Sequence, residues 1–134
     1  MLRLPRKATL WVELFMQRDM DLVRQILLFM EQHEHGSAPK IEISNYTPEQ
    51  IGFHIWLMID GGLIDGIETT THGDPSPVAI PLRIKWAGYE FLATAKDNAT
   101  WRKVMNTVLA KAGGTAFEVL KAALLSEAKR NLGL

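Results

Sequence analysis

The chain of 134 residues contains no cysteine. Disulfide bonds, zinc sites built from cysteine and catalysis by a thiol are therefore excluded. Aromatic residues make up only 8% of the chain, whereas hydrophobic residues make up 47% and charged residues 22%, which is typical of an ordinary soluble globular protein. A chain of this length can bury roughly two thirds of its unfolded surface, so it needs no covalent staple to form a core.

Long apolar runs are also missing. Residues 1–15 mix Arg3, Arg6 and Lys7 with apolar side chains. They contain no apolar stretch comparable to the roughly 7–15 residues of a signal peptide or the roughly 20 residues of a membrane span. We therefore expect a cytoplasmic protein that makes no membrane contact. We also find no internal repeat, low-complexity tract or flexible linker.

Net charge is absent as well, since 15 basic residues balance 15 acidic ones. This neutrality removes the overall attraction to nucleic acids or anionic membranes that strongly basic proteins have. The balance hides a partition along the chain. Residues 40–76 carry one basic and six acidic groups, net −5, whereas residues 77–134 carry nine basic and four acidic groups, net +5.

Periodicity and capping residues predict a short series of helices and strands. Asp19 is placed to cap the first helix, and Thr47 with Gln50 forms a capping box at the start of another. Asp97 or Asn98 and the pair Thr115 and Glu118 are the corresponding signals further on. The predicted elements are a helix from Asp19 to about His33, a strand over Lys40–Ile43, a helix over Pro48–Asp60, a strand over Gly66–Thr71, a return strand over Val78–Trp86, and helices over Gly88–Lys96, Asp97–Lys111 and from Thr115 onwards.

The return strand has the clearest alternation in the chain. Its even-numbered residues from Val78 to Trp86 are apolar and fall on one face, and its odd-numbered residues from Ala79 to Lys85 fall on the other. Pro81 cannot donate a hydrogen bond to a neighbouring strand, which indicates an edge strand.

The order of elements predicts an α+β fold. A helix followed by Gly61-Gly62, Leu63-Ile64 and a hairpin is typical of a winged helix, in which that helix is usually the one presented to DNA. An α+β domain without winged-helix geometry would give a similar pattern. We expect residues 1–15 to be an extension, residues 16–95 to form a winged-helix-like core, and residues 96–134 to be helices that pack on it.

Several separated segments resemble a known family. They are Met16–Leu27, His54–Ile64, Ile84–Leu92 with Trp101, Gly113–Gly114 and Leu132–Leu134. Together they resemble domain-of-unknown-function family 2513, which consists of small bacterial and prophage proteins. The resemblance covers residues 16–134, favours the winged helix and implies a phage or mobile-element origin. It implies no catalytic residue, because the family has no assigned activity, and Tyr89 stands where we expect histidine.

Candidate catalytic and metal-binding residues are few. His33 and His35 are two positions apart at a helix end, so they do not share a helix face. None of the serines lies in a nucleophile elbow, and no glycine-rich phosphate loop is present. We predict no enzymatic activity, no metal site and no cofactor.

A DNA-binding regulator is the alternative function. Its candidate contacts with nucleic acid are Gln50, His54, Arg83, Lys85, Arg102 and Lys103. The predicted recognition helix, residues 47–60, contains no Lys or Arg, although these residues make most contacts to phosphate and guanine. The sequence therefore disfavours DNA binding by that helix.

The helix over residues 48–60 is apolar on nearly every side. Ile51, Ile55 and Met58 predict its core face, while Phe53, Trp56 and Leu57 cluster opposite, with His54 beside them. This second cluster is either buried elsewhere in the chain or exposed as a protein interface, which a homodimer would cover. We predict a non-enzymatic interaction or regulatory module that binds a protein partner or self-associates through this face.

Overall fold

The computed structural model describes residues 17–33, 38–112 and 116–134. Within these ranges the fold is α+β, as predicted, with five helices and one antiparallel two-stranded hairpin. The elements are α1 (Met20–Glu31), α2 (Pro48–Asp60), β1 (Ile64–Glu68), β2 (Ala79–Ile84), α3 (Trp86–Ala95), α4 (Asn98–Ala112) and α5 (Phe117–Asn131). None of these helices combines the length and hydrophobicity that a membrane span needs. The expected extension, residues 1–15, lies outside the described residues.

The chain divides into two compact units, one ending at Lys85 and the other spanning Trp86–Leu134. This boundary differs from the expected one after residue 95, because α3 belongs to the second unit. The side chain of Phe91 on α3 is fully buried, and its ring lies 6.1 Å from that of Trp101 on α4 and 5.3 Å from that of Phe117 on α5. The helix after the hairpin is therefore part of the helical core that follows it.

In the first unit, α1 packs against α2, and both helices contact the hairpin. The predicted N-cap of α1 is confirmed: Oδ1 of Asp19 accepts hydrogen bonds from the backbone N–H groups of Asp21 (2.9 Å) and Leu22 (3.2 Å). The apolar residues Leu22, Ile26 and Met30, which recur at helical spacing in the sequence, are all buried, so they form the core face of α1. The helix ends at Glu31, two residues before the predicted His33.

The bounds predicted for α2 are confirmed at both ends. Oγ1 of Thr47 accepts from the backbone N–H of Gln50 (3.1 Å), and Oε1 of Gln50 accepts from the backbone N–H of Thr47 (2.9 Å). This reciprocal pair satisfies donors that the first turn of a helix leaves free. At the other end Gly61 caps the helix, and Gly62 adopts a φ of 78°, a conformation that glycine reaches without steric cost.

The strand predicted over Lys40–Ile43 is wrong. The sheet of the described part contains β1 and β2 alone, and residues 40–43 have no strand conformation. The segment runs into a turn in which the N–H of Tyr46 donates to the carbonyl of Ile43 (3.3 Å), with Asn45 at a φ of 72°. Alternating side chains cannot by themselves supply the neighbouring backbone that a strand requires.

The hairpin contains a β-bulge that the sequence did not predict. Asp65 pairs with Arg83, and Gly66 pairs with Pro81, so Leu82 is an extra residue on β2. The alternation of side chains therefore changes phase along β2. Ala79 and Pro81 are buried, whereas Leu82 is exposed. Both strands form edges, as Pro81 indicated, but β1 starts at Ile64 rather than Gly66, and Trp86 starts α3 rather than ending the strand.

In the second unit the apolar stripes of α4 and α5 are core faces. Trp101, Val104 and Val108 of α4 are buried, and Leu120 and Leu124 of α5 are fully buried. Of the two caps predicted in this unit, the one on α4 is confirmed. Oδ2 of Asp97 accepts from the backbone N–H of Thr100 (2.8 Å), but the N-cap of α5 is Ala116 without a side-chain hydrogen bond, rather than Thr115, which lies outside the described residues.

The close packing around Gly66, beside the bulge, predicts that a larger residue at this position destabilises the protein. A Cβ atom at this position would lie 2.4 Å from the carbonyl oxygen of Ile80 and 2.6 Å from Cδ1 of Ile59, both too close for van der Waals contact. We expect Gly66→Ala to lower the free energy of unfolding by about 1–3 kcal/mol, the usual cost of overpacking. Urea denaturation measures this change. Gly73→Ala, where no atom lies within 4 Å of the added Cβ, is the matched control, and an equal loss in both variants would contradict the steric explanation.

Candidate interaction surface

The two helices of the first unit meet at Asp19. The backbone N–H of Asp19 donates to Nε2 of His54 on α2 (2.8 Å), while its carboxylate caps α1. The hydroxyl of Tyr46 donates to the second carboxylate oxygen of Asp19 (2.9 Å). This junction links the start of α1, the loop before α2 and α2 itself.

His54 is held in one neutral tautomer. Because Nε2 accepts from Asp19, the proton resides on Nδ1, which donates to the carbonyl of Gln50 (2.8 Å). The side chain is 1% exposed, and this burial lowers the pKa of His54 below its ordinary value of 6.5, although the carbonyl of Gln50 and the charge of Asp19 act in the opposite direction. Burial, together with the hydrogen bond that the Tyr46 hydroxyl donates to the Asp19 carboxylate, raises the pKa of Tyr46.

Gln50 and His54, two of the predicted contacts with nucleic acid, instead use their side chains for hydrogen bonds within the fold. The side chain of Gln50 completes the capping box of α2, and His54 is buried with both ring nitrogens hydrogen-bonded. His54 is not on the surface, so its assignment to either a protein interface or a nucleic-acid contact is wrong. The histidine is instead a core residue whose polar atoms are satisfied.

The predicted apolar cluster of α2 is mostly inside. Phe53 is 6% exposed, and its ring packs edge to face against His54 and stacks on Trp56 at 6.1 Å. Trp56 and Leu57 are half-buried. Of the two alternatives that the sequence left open, the structure selects burial for Phe53, so this cluster does not form a continuous exposed patch.

The four basic candidates are on exposed positions. Nε of Arg83 lies 3.3 Å from a carboxylate oxygen of Asp65 across the hairpin, and Lys85 follows the end of β2. In the second unit, Arg102 and Lys103 are neighbours on α4, which places them apart from the hairpin in the chain. None of them lies on α2, which contains no Lys or Arg.

Lys103 forms an ion pair within the second unit. Its Nζ lies 2.7 Å from Oε1 of Glu127, and the side chain of Glu127 is only 10% exposed. Arg130 lies 3.5 Å from the other carboxylate oxygen. The hydrogen bond from Lys103 lowers the pKa of Glu127, so this carboxylate stays ionised and joins α4 to α5.

The feature that stands out on the first unit is an apolar face of the hairpin, which we call the outer face. It consists of Ile67 (53% exposed), Val78 (39%), Ile80 (39%) and Leu82 (47%). Ile67 and Ile80 are directly opposite each other in the register, so they share one side of the sheet. Asp65 and Arg83 form their ion pair at one end of this face. A contiguous set of exposed aliphatic side chains is typical of a contact surface.

Tight packing between α2 and the inner side of the hairpin explains why these residues face outward. The Cβ position of Gly66 is 2.6 Å from the Ile59 side chain, and that of Gly52 on α2 is 3.1 Å from the carbonyl oxygen of Pro77. Backbone and helix approach so closely here that the inner positions hold the small residues Gly66 and Ala79, while the larger Ile64 and Ile84 are buried as a pair at the end of the hairpin away from its loop. Sequence reasoning missed the outer face because the alternation of β2 looks the same whichever side is buried. A glycine opposite Pro81, with alanine nearby, was the available signal.

The second unit also has exposed aromatic residues. Trp86 is 81% exposed and Tyr89 is 49% exposed, about one turn apart on α3. Trp86 was expected on the return strand, so this pair was not predicted.

Among the described residues, no group of three His, Asp or Glu side chains could hold a metal ion. His33 follows the end of α1, and His35, its proposed companion, lies outside the described residues.

Comparison with known proteins matches residues 17–115 to the family described as "Hypothetical protein (DUF2513)". The chain belongs to the DUF2513 family. The resemblance found in the sequence is thereby confirmed. A Haemophilus influenzae protein described as "Uncharacterized protein" is 27% identical to this DUF2513 chain over 108 residues, which cover 79% of this chain and 90% of the relative. No solved structure matches this DUF2513 chain.

The buried histidine predicts how stability depends on pH. Because the pKa of His54 is lower in the folded state than its ordinary 6.5, protonation favours the unfolded chain. The contribution of the histidine is complete above pH 6.5 and is lost as the pH falls through the native pKa. We expect the free energy of unfolding to fall as the pH is lowered below about 6.5, with a slope of at most about 1.4 kcal/mol per pH unit. Urea denaturation at a series of pH values measures this slope.

The matched pair His54→Gln and His72→Gln tests the assignment. His72 is in the exposed hairpin loop, so its variant keeps the slope, whereas His54→Gln removes the titrating group and flattens it. A slope that survives in His54→Gln would show that another group causes it.

Proposed function

We propose that this DUF2513 protein is a non-enzymatic interaction or regulatory module that acts through protein contacts made by the outer face of its hairpin. The observation that carries the proposal is the exposure of four aliphatic side chains on one side of two strands. Exposing them costs solubility, and an interface offsets that cost when it covers them. The bulge at Leu82 and the close packing around Gly66 fix the orientation of the face.

We further propose that the first unit is a winged-helix-like domain in which the hairpin is the wing. Two observations support this assignment: α1 packs against α2, and the hairpin follows α2 after a two-glycine turn. In this arrangement α2 would be the helix presented to DNA. Its capping box uses Gln50, its histidine is buried, and its exposed ends carry Glu49 and Asp60. These features favour a protein contact through the wing over a DNA contact through α2.

Site-specific photocrosslinking in cells that express the protein tests the proposed function. We expect a photoreactive phenylalanine at position 80, at the centre of the outer face, to form a defined adduct with a polypeptide. The same residue at position 125 is the matched control, because Leu125 on α5 is 49% exposed and lies outside the face. The absence of an adduct at position 80, or equal adducts at both positions, would contradict an interface at the outer face.

A separate measurement addresses the DNA-binding alternative. We expect the fluorescence anisotropy of a labelled mixed-sequence duplex to stay flat when the protein is added at low salt, because α2 has no basic residue. Binding whose affinity falls by about 0.9 log units per log unit of salt for each phosphate contact would instead favour a DNA-binding regulator. Arg83→Ala and Lys85→Ala would then show whether the wing makes those contacts.

A further inference from the structure

The charges of the hairpin are sorted by strand. The charged residues of β1 are Asp65 and Glu68, both acidic, whereas β2 and the residue after it carry Arg83 and Lys85, both basic. On the outer face β1 therefore carries one acidic side chain, Asp65, directly opposite the basic Arg83 of β2, whereas Glu68 pairs with the buried Ala79 and lies on the inner side. A surface of this kind is complementary to a copy of itself if the copy is turned so that unlike strands meet.

Symmetry limits how two copies of the hairpin can combine, because each residue contact in a two-fold dimer occurs twice. Pairing along the strand edges joins β1 to β1 or β2 to β2. The first choice brings acidic strands together, and the second uses a strand in which Pro81 lacks an N–H donor. If the two hairpins pack face to face and the two-fold axis runs perpendicular to the strands, β1 of one copy again lies over β1 of the other. Face-to-face packing with the axis parallel to the strands is the arrangement that sets β1 of each copy over β2 of the other.

We propose that the outer face is the contact surface of a two-fold homodimer in which β1 of each copy lies over β2 of its partner. The proposal rests on the proposed function and names the partner of the same surface, a second copy of this chain. Since Ile67 and Ile80 are opposite in the register, the dimer brings four isoleucines together at its centre. Asp65 and Arg83 are likewise opposite, so their two ion pairs form a cluster of four alternating charges at one end.

The size of the face sets the expected strength. Two sheets packed face to face lie about 10 Å apart with their strands within about 30° of each other, and their side chains interdigitate. A face with four partly exposed side chains is smaller than the roughly 800 Å² per partner of a standard interface. The dimer is therefore weak and reversible, and its average mass rises with protein concentration.

Sedimentation equilibrium of the purified full chain, from micromolar to near-millimolar concentration, tests the proposal. We expect a monomer–dimer equilibrium whose dissociation constant rises by at least about tenfold in Ile80→Lys, as it does when a central anchor of an interface is lost. Leu125→Lys is the control for an added charge at another exposed apolar position, 49% exposed against 39% for Ile80, and it leaves the equilibrium unchanged. Circular dichroism and thermal unfolding establish that both variants are folded.

A charge swap tests the crossed arrangement of strands. The double variant Asp65→Arg with Arg83→Asp keeps an ion pair within each copy and restores complementarity between two swapped copies. It should dimerise like the wild type, but mixed dimers of swapped and wild-type chains place like charges over each other. Native mass spectrometry of a mixture should show mixed dimers below their statistical share.

The outcomes that overturn the proposal are distinct. A wild-type chain that stays monomeric at every concentration excludes the homodimer, and mixed dimers at their statistical share exclude the crossed arrangement. If the chain is monomeric while position 80 still crosslinks to a different polypeptide in cells, the homodimer fails and the proposed function stands. If position 80 gives no adduct and the mass does not change, both fail.

Discussion

The hydrogen bond from the backbone of Asp19 to the ring of His54 is the contact on which the first unit depends. It joins residues 35 positions apart, and the same aspartate caps α1 and accepts from Tyr46. The bond requires the buried imidazole of His54 to be neutral, with its proton on Nδ1 and Nε2 free to accept. One side chain thereby sets the position of α2 against the start of α1, and the hairpin packs on the pair.

The position of α2 in turn decides what the hairpin exposes. The close approach of Ile59 to Gly66 leaves no room for a larger side chain at that inner position. Ile67, Val78, Ile80 and Leu82 are then on the opposite side, and the bulge at Leu82 changes the phase of β2, so that Ile84 is buried. The outer face is a consequence of tight packing on the inner side. This origin makes it a fixed feature of the first unit, and a fixed apolar face is suited to a specific partner.

The second unit is held differently. Three aromatic rings, those of Phe91, Trp101 and Phe117, converge from its three helices. The pair of Lys103 and Glu127 joins α4 and α5 beside that core. Because Glu127 is nearly buried, its charge requires the partner that Lys103 supplies. The unit combines an aromatic core with one directional polar contact, whereas the first unit relies on its network at Asp19.

Local signals in the sequence determined most of the helices. The caps at Asp19, at Thr47 with Gln50, and at Asp97 each involve groups at most three residues apart, so their chemistry is legible in the sequence itself. The apolar stripe of α1 was equally legible, because helical periodicity places its residues on one face. The α+β class followed from the same local patterns, whereas the family was identified by the resemblance of several separated segments to its members.

What the tertiary structure alone decided depends on distances between segments that are far apart in the chain. The partner of His54, the burial of Phe53, the bulge at Leu82 and the membership of α3 in the second unit are all of this kind. An alternating strand specifies two faces but not which of them meets a helix. The close approach of α2 to the hairpin favours small side chains on the inner side. Val78, Ile80 and Leu82 of the predicted apolar stripe therefore face solvent, whereas Ile84, beyond the bulge, is buried.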